Sequence, residues 1–98
     1  MLYFVYLEDI EDNAHIREPL LGEHMKHIGA YIERIKLAGP LMRADGSRQA
    51  GGVLLVEAAT EQEVRAMVEA DPYFKAGLWP AVRIHPFREI INSWTMNG

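Results

Sequence analysis

The chain is 98 residues long, which predicts a single domain with a modest hydrophobic core. Its composition, 49% hydrophobic and 24% charged, is typical of a globular protein and unlike that of a disordered chain. A net charge of −4 without any basic cluster argues against a nucleic-acid partner. The absence of cysteine excludes disulfides and a cysteine nucleophile, and is compatible with the cytoplasmic location that we expect.

The chain is expected to open with a strand. Leu2 to Leu7 is apolar or aromatic at every position, which is typical of a strand buried on both faces. No basic segment precedes this run and acidic residues follow it, so the pattern favours a strand over a signal peptide. No apolar run approaches the roughly 20 residues of a membrane span, and we expect no membrane partner.

A first helix is expected to begin between His15 and Leu20, because Pro19 is tolerated without cost only in a first helical turn. The helix must end before Gly39-Pro40. Along it, apolar residues recur at steps of three and four, which is the pattern of one helix face. These residues are Leu21, Met25, Ile28, Ile32 and Ile35.

Two further strands and a hairpin turn follow. Ile35 to Met42 is the second predicted strand and Gly51 to Glu57 is the third. Asp45-Gly46 lies between them and is a strong hairpin signal.

A second helix is predicted after Thr60, which is suited to be its N-cap, with Glu63 completing a capping box. Residues 71–77 predict a short helical turn, and residues 82–85 alternate between apolar and polar as in a strand with one wetter face. The buried face of the second helix is predicted to consist of Val64, Met67 and Val68.

The order strand, helix, strand, strand, helix, strand predicts a ferredoxin-like α+β fold with a four-stranded antiparallel sheet. Proline belongs at sheet edges, so Pro40, Pro80 and Pro86 make the second and fourth strands the edges. Two helices cover one face of such a sheet, yet strands one and three are apolar on both. We therefore expect a homodimer with the sheets face to face, and further assembly stays open.

His24 interrupts the apolar stripe of the first helix, and Asp71-Pro72 opens the short helical turn. Each residue has a structural interpretation: a histidine satisfied by a carbonyl, and an N-cap followed by proline at N1. The functional interpretation is that the Asp71 carboxylate orients His24 as a general acid or base. The sequence leaves both interpretations open.

The chain resembles the YCII-related (YciI-like) family over nearly its whole length. The matching segments, specific by order and spacing, are Arg17, His24-Met25, Leu37 to Leu41, Asp45-Gly46, Gly52 to Glu57, Asp71 to Leu78 and Val82 to Phe87. The resemblance implies a dimeric α+β barrel or sandwich related to muconolactone isomerase. It also implies a His–Asp active site, which maps onto His24 and Asp71. Relatives include a dehydrochlorinase of chlorinated aromatic breakdown. Relatives often carry a basic residue where this chain has Leu21, which suggests a less charged ligand.

Other candidate site residues have bland alternatives. Arg17 is suited to bind an anionic group or to form a surface ion pair. Tyr73 either donates a hydrogen bond to a ligand or packs beneath the turn. Gly39-Pro40 borders the expected site, and shapes a bulge or strand start rather than a phosphate loop. His24 and His27 lack a third ligand at metal-site spacing, so no metal is expected.

Two functions remain open from the sequence. The first is a small-molecule lyase or isomerase that needs no cofactor and performs proton transfer or dehydrochlorinase-type chemistry on a small ring or lactone-like compound. His24 would move the proton and Asp71 would orient it, while Arg17 and Tyr73 would hold the substrate. The alternative is a non-catalytic metabolite-binding or accessory module, because a fold alone does not determine function.

Overall fold

The computed structural model describes residues 1–96. Its four strands form one antiparallel sheet in the order β2-β3-β1-β4, which confirms the ferredoxin-like prediction with β1 and β3 at the centre. Within the described residues, every helix is too short or too polar to cross a bilayer. The elements are β1 (Leu2–Glu8), α1 (Ala14–Ala30), β2 (Ile35–Met42), β3 (Gln49–Glu57), α2 (Glu61–Glu69), α3 (Pro72–Lys75), β4 (Ala81–Phe87) and α4 (Ser93–Met96).

The prolines lie where a sheet tolerates a missing donor. Pro40 is in β2 and Pro86 is in β4, and both strands are edges, as predicted. The expectation that Gly39-Pro40 forms a bulge or strand start is wrong. Pro40 pairs with Gly52 in the middle of β2, while the irregularities lie nearer the two ends of that strand. An edge strand accepts proline here because its outer side needs no ladder hydrogen bond.

The first helix begins earlier than its proline suggests. It starts at Ala14, so Pro19 lies in the second helical turn rather than the first, which corrects the sequence prediction. Tertiary contacts determine this start. The Asn13 side-chain amide donates to the Asp9 carboxylate and to the Gln49 carbonyl, each at 2.9 Å. These bonds join the helix start to β1 and β3, and they outweigh the local preference of proline.

The first helix also ends earlier than its apolar stripe suggests, at Ala30. Ile32 lies in the following turn and Ile35 is the first residue of β2. The three-residue step from Ile32 to Ile35 therefore does not reflect one helix face. A helix and a strand that border the same cavity both need apolar residues, so their patterns merge in the sequence.

The core lies between the sheet and α2. On β1, every second residue from Tyr3 is buried, and the intervening side chains, such as Phe4 and Tyr6, are half-buried on the other face. As predicted, α2 buries Val64, Met67 and Val68. Cross-strand neighbours on the helix-covered face complete the core: Tyr3, Val5, Leu7, Leu54, Val56 and Ile84.

Local signals at two turns are confirmed. Thr60 Oγ1 accepts a hydrogen bond from the Glu63 amide at 3.2 Å, and the Glu63 carboxylate accepts one from the Ala59 amide at 3.1 Å. In the β2–β3 hairpin, Gly46 has φ +73°, and the Asp45 carboxylate accepts the amide and hydroxyl of Ser47. These bonds explain why the capping and hairpin patterns were reliable.

Gly51 is the glycine on which the central strand pair depends. A Cβ at this position would overlap the carbonyl oxygen of Leu7 on β1, whereas a Cβ at Gly39 on β2 would meet nothing within 4 Å. We expect Gly51→Ala to lower the free energy of unfolding by about 1–3 kcal/mol, because backbone cannot move aside as a side chain can. Urea unfolding measures this loss. Gly39→Ala is the matched control, and equal losses for both variants would contradict the prediction.

Candidate functional site

An apolar cavity of about 500 Å³ lies between α1 and the β2–β3 part of the sheet. The helix α1 packs on α3 and leaves this space open on its sheet-facing side. The central apolar residues of α1 therefore line a cavity instead of filling a core. Leu21 and Met25 of α1, and Ile32 of the turn that follows it, are more than half exposed, at 53%, 56% and 62%. Such a lining suits the ring of a small organic ligand.

His24 and Asp71 meet at the wall of this cavity. His24 Nδ1 lies 2.8 Å from Asp71 Oδ2 and 3.0 Å from Oδ1. The side chains are 18% and 3% exposed, so both are withdrawn from bulk water. An ionised carboxylate only accepts, so the imidazole carries a proton on Nδ1. In the neutral ring Nε2 is then the basic nitrogen, and it has no hydrogen-bond partner among residues 1–96.

The position of Asp71 follows from its local sequence. Asp71 is the N-cap of α3, with extended backbone, and its Oδ1 accepts a hydrogen bond from the Tyr73 amide at 2.9 Å. Pro72 occupies the first turn of that helix. The capping interpretation is confirmed, and the same carboxylate contacts His24. Its direction is thus set by the backbone before any ligand arrives.

Tyr73 forms one wall of the His24 environment. Its ring stacks on the imidazole at a centroid distance of 4.1 Å and an interplanar angle of 16°. The Tyr73 hydroxyl donates to the backbone carbonyl of Arg17 at 3.1 Å. The proton of this hydroxyl is thereby engaged within the protein. The ring orients the histidine, and a hydrogen bond from the phenol proton to a ligand would require breaking an existing one.

Burial raises the pKa of the Tyr73 phenol, because removal from water disfavours the phenolate. Because the phenol pKa in the folded protein lies above the unfolded value of about 10, the folded state binds the phenol proton more tightly. Proton binding therefore stabilises the fold fully below the unfolded pKa, and this stabilisation is lost as the pH rises through the folded pKa. We expect the melting temperature to fall more steeply above about pH 10 in the native protein than in Tyr73→Phe. Thermal melts between neutral and strongly alkaline pH measure the difference. Parallel curves for the two proteins would contradict the prediction.

Arg17 lines the cavity but is already paired. Its Nε donates to Asp9 Oδ2 at 2.7 Å and its Nη2 donates to Asp9 Oδ1 at 3.1 Å, while Nη2 also reaches the Gly51 carbonyl at 3.3 Å. The Asp9 side chain is buried, with 1% of its surface exposed. The indole of Trp79 donates to the same carboxylate at 3.1 Å. Asp9 therefore joins the end of β1, the start of α1 and the segment before β4.

The remaining sequence candidates occupy different places. Gly39 and Pro40 line the cavity from β2. His27 also lines it, and its Nε2 donates to the Met67 carbonyl at 2.8 Å, which links α1 to the end of α2. Ser47 lies outside the cavity lining, at the hairpin turn, where its hydroxyl donates to the Asp45 carboxylate. None of these contacts suggests a nucleophile.

Sequence reasoning missed Asp9 and assigned no role to Asn13. Both lie in the segment after the first predicted strand, where the sequence analysis noted only acidic residues. A usable signal was available: Asp9 follows a central apolar strand directly, where the chain leaves the core. Trp79 is 6% exposed and lines the cavity beside His24, whereas Trp94 is 72% exposed.

Residues 1–88 match the family model of the YCII-related domain. The chain belongs to the YCII-related family. Two curated relatives, both named Protein YciI, come from Escherichia coli O6:H1 (strain CFT073) and Shigella flexneri. Each is 26% identical over 97 residues, and the match covers 92% of this chain and 99% of the relative. The resemblance inferred from the sequence is thereby confirmed.

A solved structure of related fold is 5-chloro-2-hydroxyhydroquinone dehydrochlorinase (TftG) from Burkholderia phenoliruptrix AC1100, in complex with 2,5-dihydroxybenzoquinone. It superposes on this YCII-related protein with a TM-score of 0.83 at 28% sequence identity. The match covers 90% of this chain and 94% of the other. The fold is therefore shared along nearly the whole chain.

Proposed function

We propose that this YCII-related protein is a lyase or isomerase that transfers a proton on a small ring or lactone-like compound and needs no cofactor. The contact that carries the proposal is the 2.8 Å bond between His24 Nδ1 and Asp71 Oδ2 at the wall of an apolar cavity. A buried carboxylate that accepts from one imidazole nitrogen leaves the other nitrogen to act as a general base. The cavity supplies space for a ring beside it.

The proposed reaction starts at a ring carbon next to a carbonyl. His24 Nε2 takes the proton from this carbon, and the C–H electron pair moves into the ring as an enolate. In a dehydrochlorination, the carbonyl re-forms, chloride leaves from the adjacent carbon with its bonding pair, and His24 passes the proton to water. In an isomerisation, His24 returns the proton to a different carbon. Asp71 stabilises the imidazolium in both cases.

The comparison with TftG supports the substrate class. That protein is a dehydrochlorinase of a chlorinated hydroxyhydroquinone, and its complex contains a six-membered ring compound. The cavity of the present protein is lined mainly by apolar side chains and has about 500 Å³ of space, which suits a ligand of that size. We therefore propose small oxygenated rings, with or without chlorine, as substrates.

Solvent exchange tests the proposal without advance knowledge of the product. Lactones and chlorinated hydroxylated rings are incubated with the protein in D₂O, and proton NMR follows loss of ring C–H signals and release of new products. His24→Ala is expected to slow exchange or turnover by about 10²–10⁴-fold, because a positioned base contributes that much. His15→Ala is the matched control, since His15 lies on the same helix with its side chain 62% exposed.

Two results would count against the enzyme. Equal exchange rates in His24→Ala and the native protein would remove His24 from the chemistry. Ligand binding with no exchange or turnover for any ring compound would favour the metabolite-binding module instead. Both outcomes are read from the same samples.

We further propose that the protein is a homodimer in which the uncovered sheet faces pack together. Within residues 1–96, no helix covers the face that carries Phe4 and Tyr6, and Leu37 and Phe87 are 44% and 43% exposed. Exposed apolar side chains on an uncovered sheet face are typical of an interface. Light scattering is expected to give twice the chain mass of 11.1 kDa. A monomer at micromolar concentration would contradict this assembly.

A further inference from the structure

We infer that Asp9 sets the ligand charge that the cavity accepts: by occupying the guanidinium fork of Arg17, it makes the site bind an uncharged ring oxygen and reject a carboxylate. This inference rests on the proposed function, because it names the substrate class of the same cavity. It assigns Asp9 as a specificity-determining residue that acts through Arg17.

The donors of Arg17 can be counted. A guanidinium has five N–H donors. Nε–H and one Nη2–H donate to the two Asp9 oxygens, and Nη2 also reaches the Gly51 carbonyl. The two Nη1–H donors have no partner among residues 1–96. Arg17 lines the cavity, so these two donors form its available hydrogen-bonding edge.

The charge of this edge is compensated from behind. Asp9 is withdrawn from water and contacts Arg17 at 2.7 Å, so the pair presents a guanidinium edge with little net charge. A carboxylate ligand would lose its hydration and would be repelled by the Asp9 charge just beyond the guanidinium. The desolvation cost would then exceed the attraction to Arg17. A carbonyl or hydroxyl oxygen on an apolar ring loses far less hydration and still accepts both Nη1 donors.

The other charged groups of the cavity do not favour a carboxylate at the His24 end. His24 is paired with Asp71, and the His27 ring donates to a backbone carbonyl. Lys36 is exposed, and its ammonium lies 3.5 Å from the Glu33 carbonyl on the surface. Among the described residues that line the cavity, an uncompensated cation is thus available only at the exposed Lys36.

Trp79 supports the assignment because it and Arg17 both donate hydrogen bonds to the Asp9 carboxylate. Its indole donates to Asp9 Oδ1, and its ring lies edge-on to both Tyr73 and His24, at centroid distances of 5.8 and 6.2 Å. The Arg17 guanidinium carbon lies 5.3 Å from the Tyr73 ring centre. Asp9 thereby fixes Trp79, which borders His24, and Arg17, which borders Tyr73. Its charge and position therefore affect the same ligand site.

The experiment compares benzamide with benzoate, which have nearly the same shape but differ in charge at neutral pH. Binding is followed by protein NMR, with the Arg17 Nε–H and Trp79 indole N–H as reporters. In the native protein, benzamide is expected to bind at least about tenfold more tightly than benzoate and to shift the Arg17 signal. Asp9→Asn removes the compensating charge and is expected to reduce or reverse this ratio. Asp45→Asn, at the exposed hairpin turn, is expected to leave it unchanged.

If Asp9→Asn does not fold, the comparison of benzamide and benzoate binding to the native protein tests the inference. Benzoate binding as tightly as benzamide, binding of neither probe, or benzamide binding without a change at Arg17 would overturn the inference. The same ratio measured in His24→Ala separates it from the proposed reaction. A preserved benzamide preference with no turnover by any protein would refute only the reaction. A benzoate preference with normal turnover would refute only the role of Asp9.

Discussion

Asp71→Asn is expected to reduce turnover by about 10²–10⁴-fold, the range that a positioned acid–base group contributes, without unfolding the protein. Asparagine is as good an N-cap as aspartate, so the start of α3 should survive the change. The loss arises at the histidine, whose contact with Asp71 depends on an acceptor facing Nδ1.

The reason is that asparagine has one side-chain oxygen, for which the Tyr73 amide and His24 Nδ1 would compete. In the native protein Asp71 accepts hydrogen bonds from both the Tyr73 amide and His24 Nδ1. An asparagine whose oxygen remains on the Tyr73 amide turns its NH₂ group toward His24. Nδ1 must then accept, so the ring proton moves to Nε2, and Nε2 can no longer act as the proposed base. The substitution therefore changes the tautomer while it preserves the shape.

Two measurements distinguish this change of the His24 tautomer from a general loss of structure. Nitrogen-15 NMR of the His24 ring is expected to report protonated Nδ1 in the neutral native ring and protonated Nε2 in Asp71→Asn. Kinetics of the double variant with His24→Ala are expected to show no loss beyond that of His24→Ala alone, since the two residues act as a unit. Additive losses would place Asp71 outside the proton transfer.

The sequence predicted the residues of this site more accurately than it predicted the ends of the helix beside it. The N-cap pattern of Asp71-Pro72 is local, and the structure has that cap because only neighbouring backbone is involved. The contact with His24 spans 47 positions and was supported only by family resemblance. The ends of α1 were wrong because contacts of Asn13 with distant residues fix its start, and because two elements with apolar residues adjoin at its other end.

The same reasoning explains why Asp9 escaped prediction. An aspartate in an acidic segment normally faces water, and its position directly after a central strand is the one local sign that it does not. Arg17 is eight residues away and Trp79 is seventy residues away. Only the antiparallel sheet and the start of α1 bring them to one carboxylate. Long-range convergence of this kind leaves no periodic signal in a single sequence.

Asp9→Ala is expected to lower the free energy of unfolding by about 3–5 kcal/mol, a larger stability effect than that of Gly51→Ala. The substitution leaves Arg17, whose side chain is 16% exposed, without its counter-charge. It also removes the acceptor of the Trp79 indole and one acceptor of the Asn13 amide. Most of the cost is the charge left without a partner, rather than the intrinsic worth of the ion pair.

Two further variants test whether the unpaired Arg17 charge causes the stability loss of Asp9→Ala. Asp9→Ala combined with Arg17→Met removes the unpaired charge as well, so we expect the double variant to recover part of the stability lost in Asp9→Ala. Asp12→Ala, at a side chain that is 90% exposed, is the matched control and should change stability by less than about 0.5 kcal/mol. Urea unfolding of the four proteins gives these differences directly. If the double variant is less stable than Asp9→Ala, Arg17 stabilises the fold through packing alone, and the charge argument for its pairing with Asp9 fails.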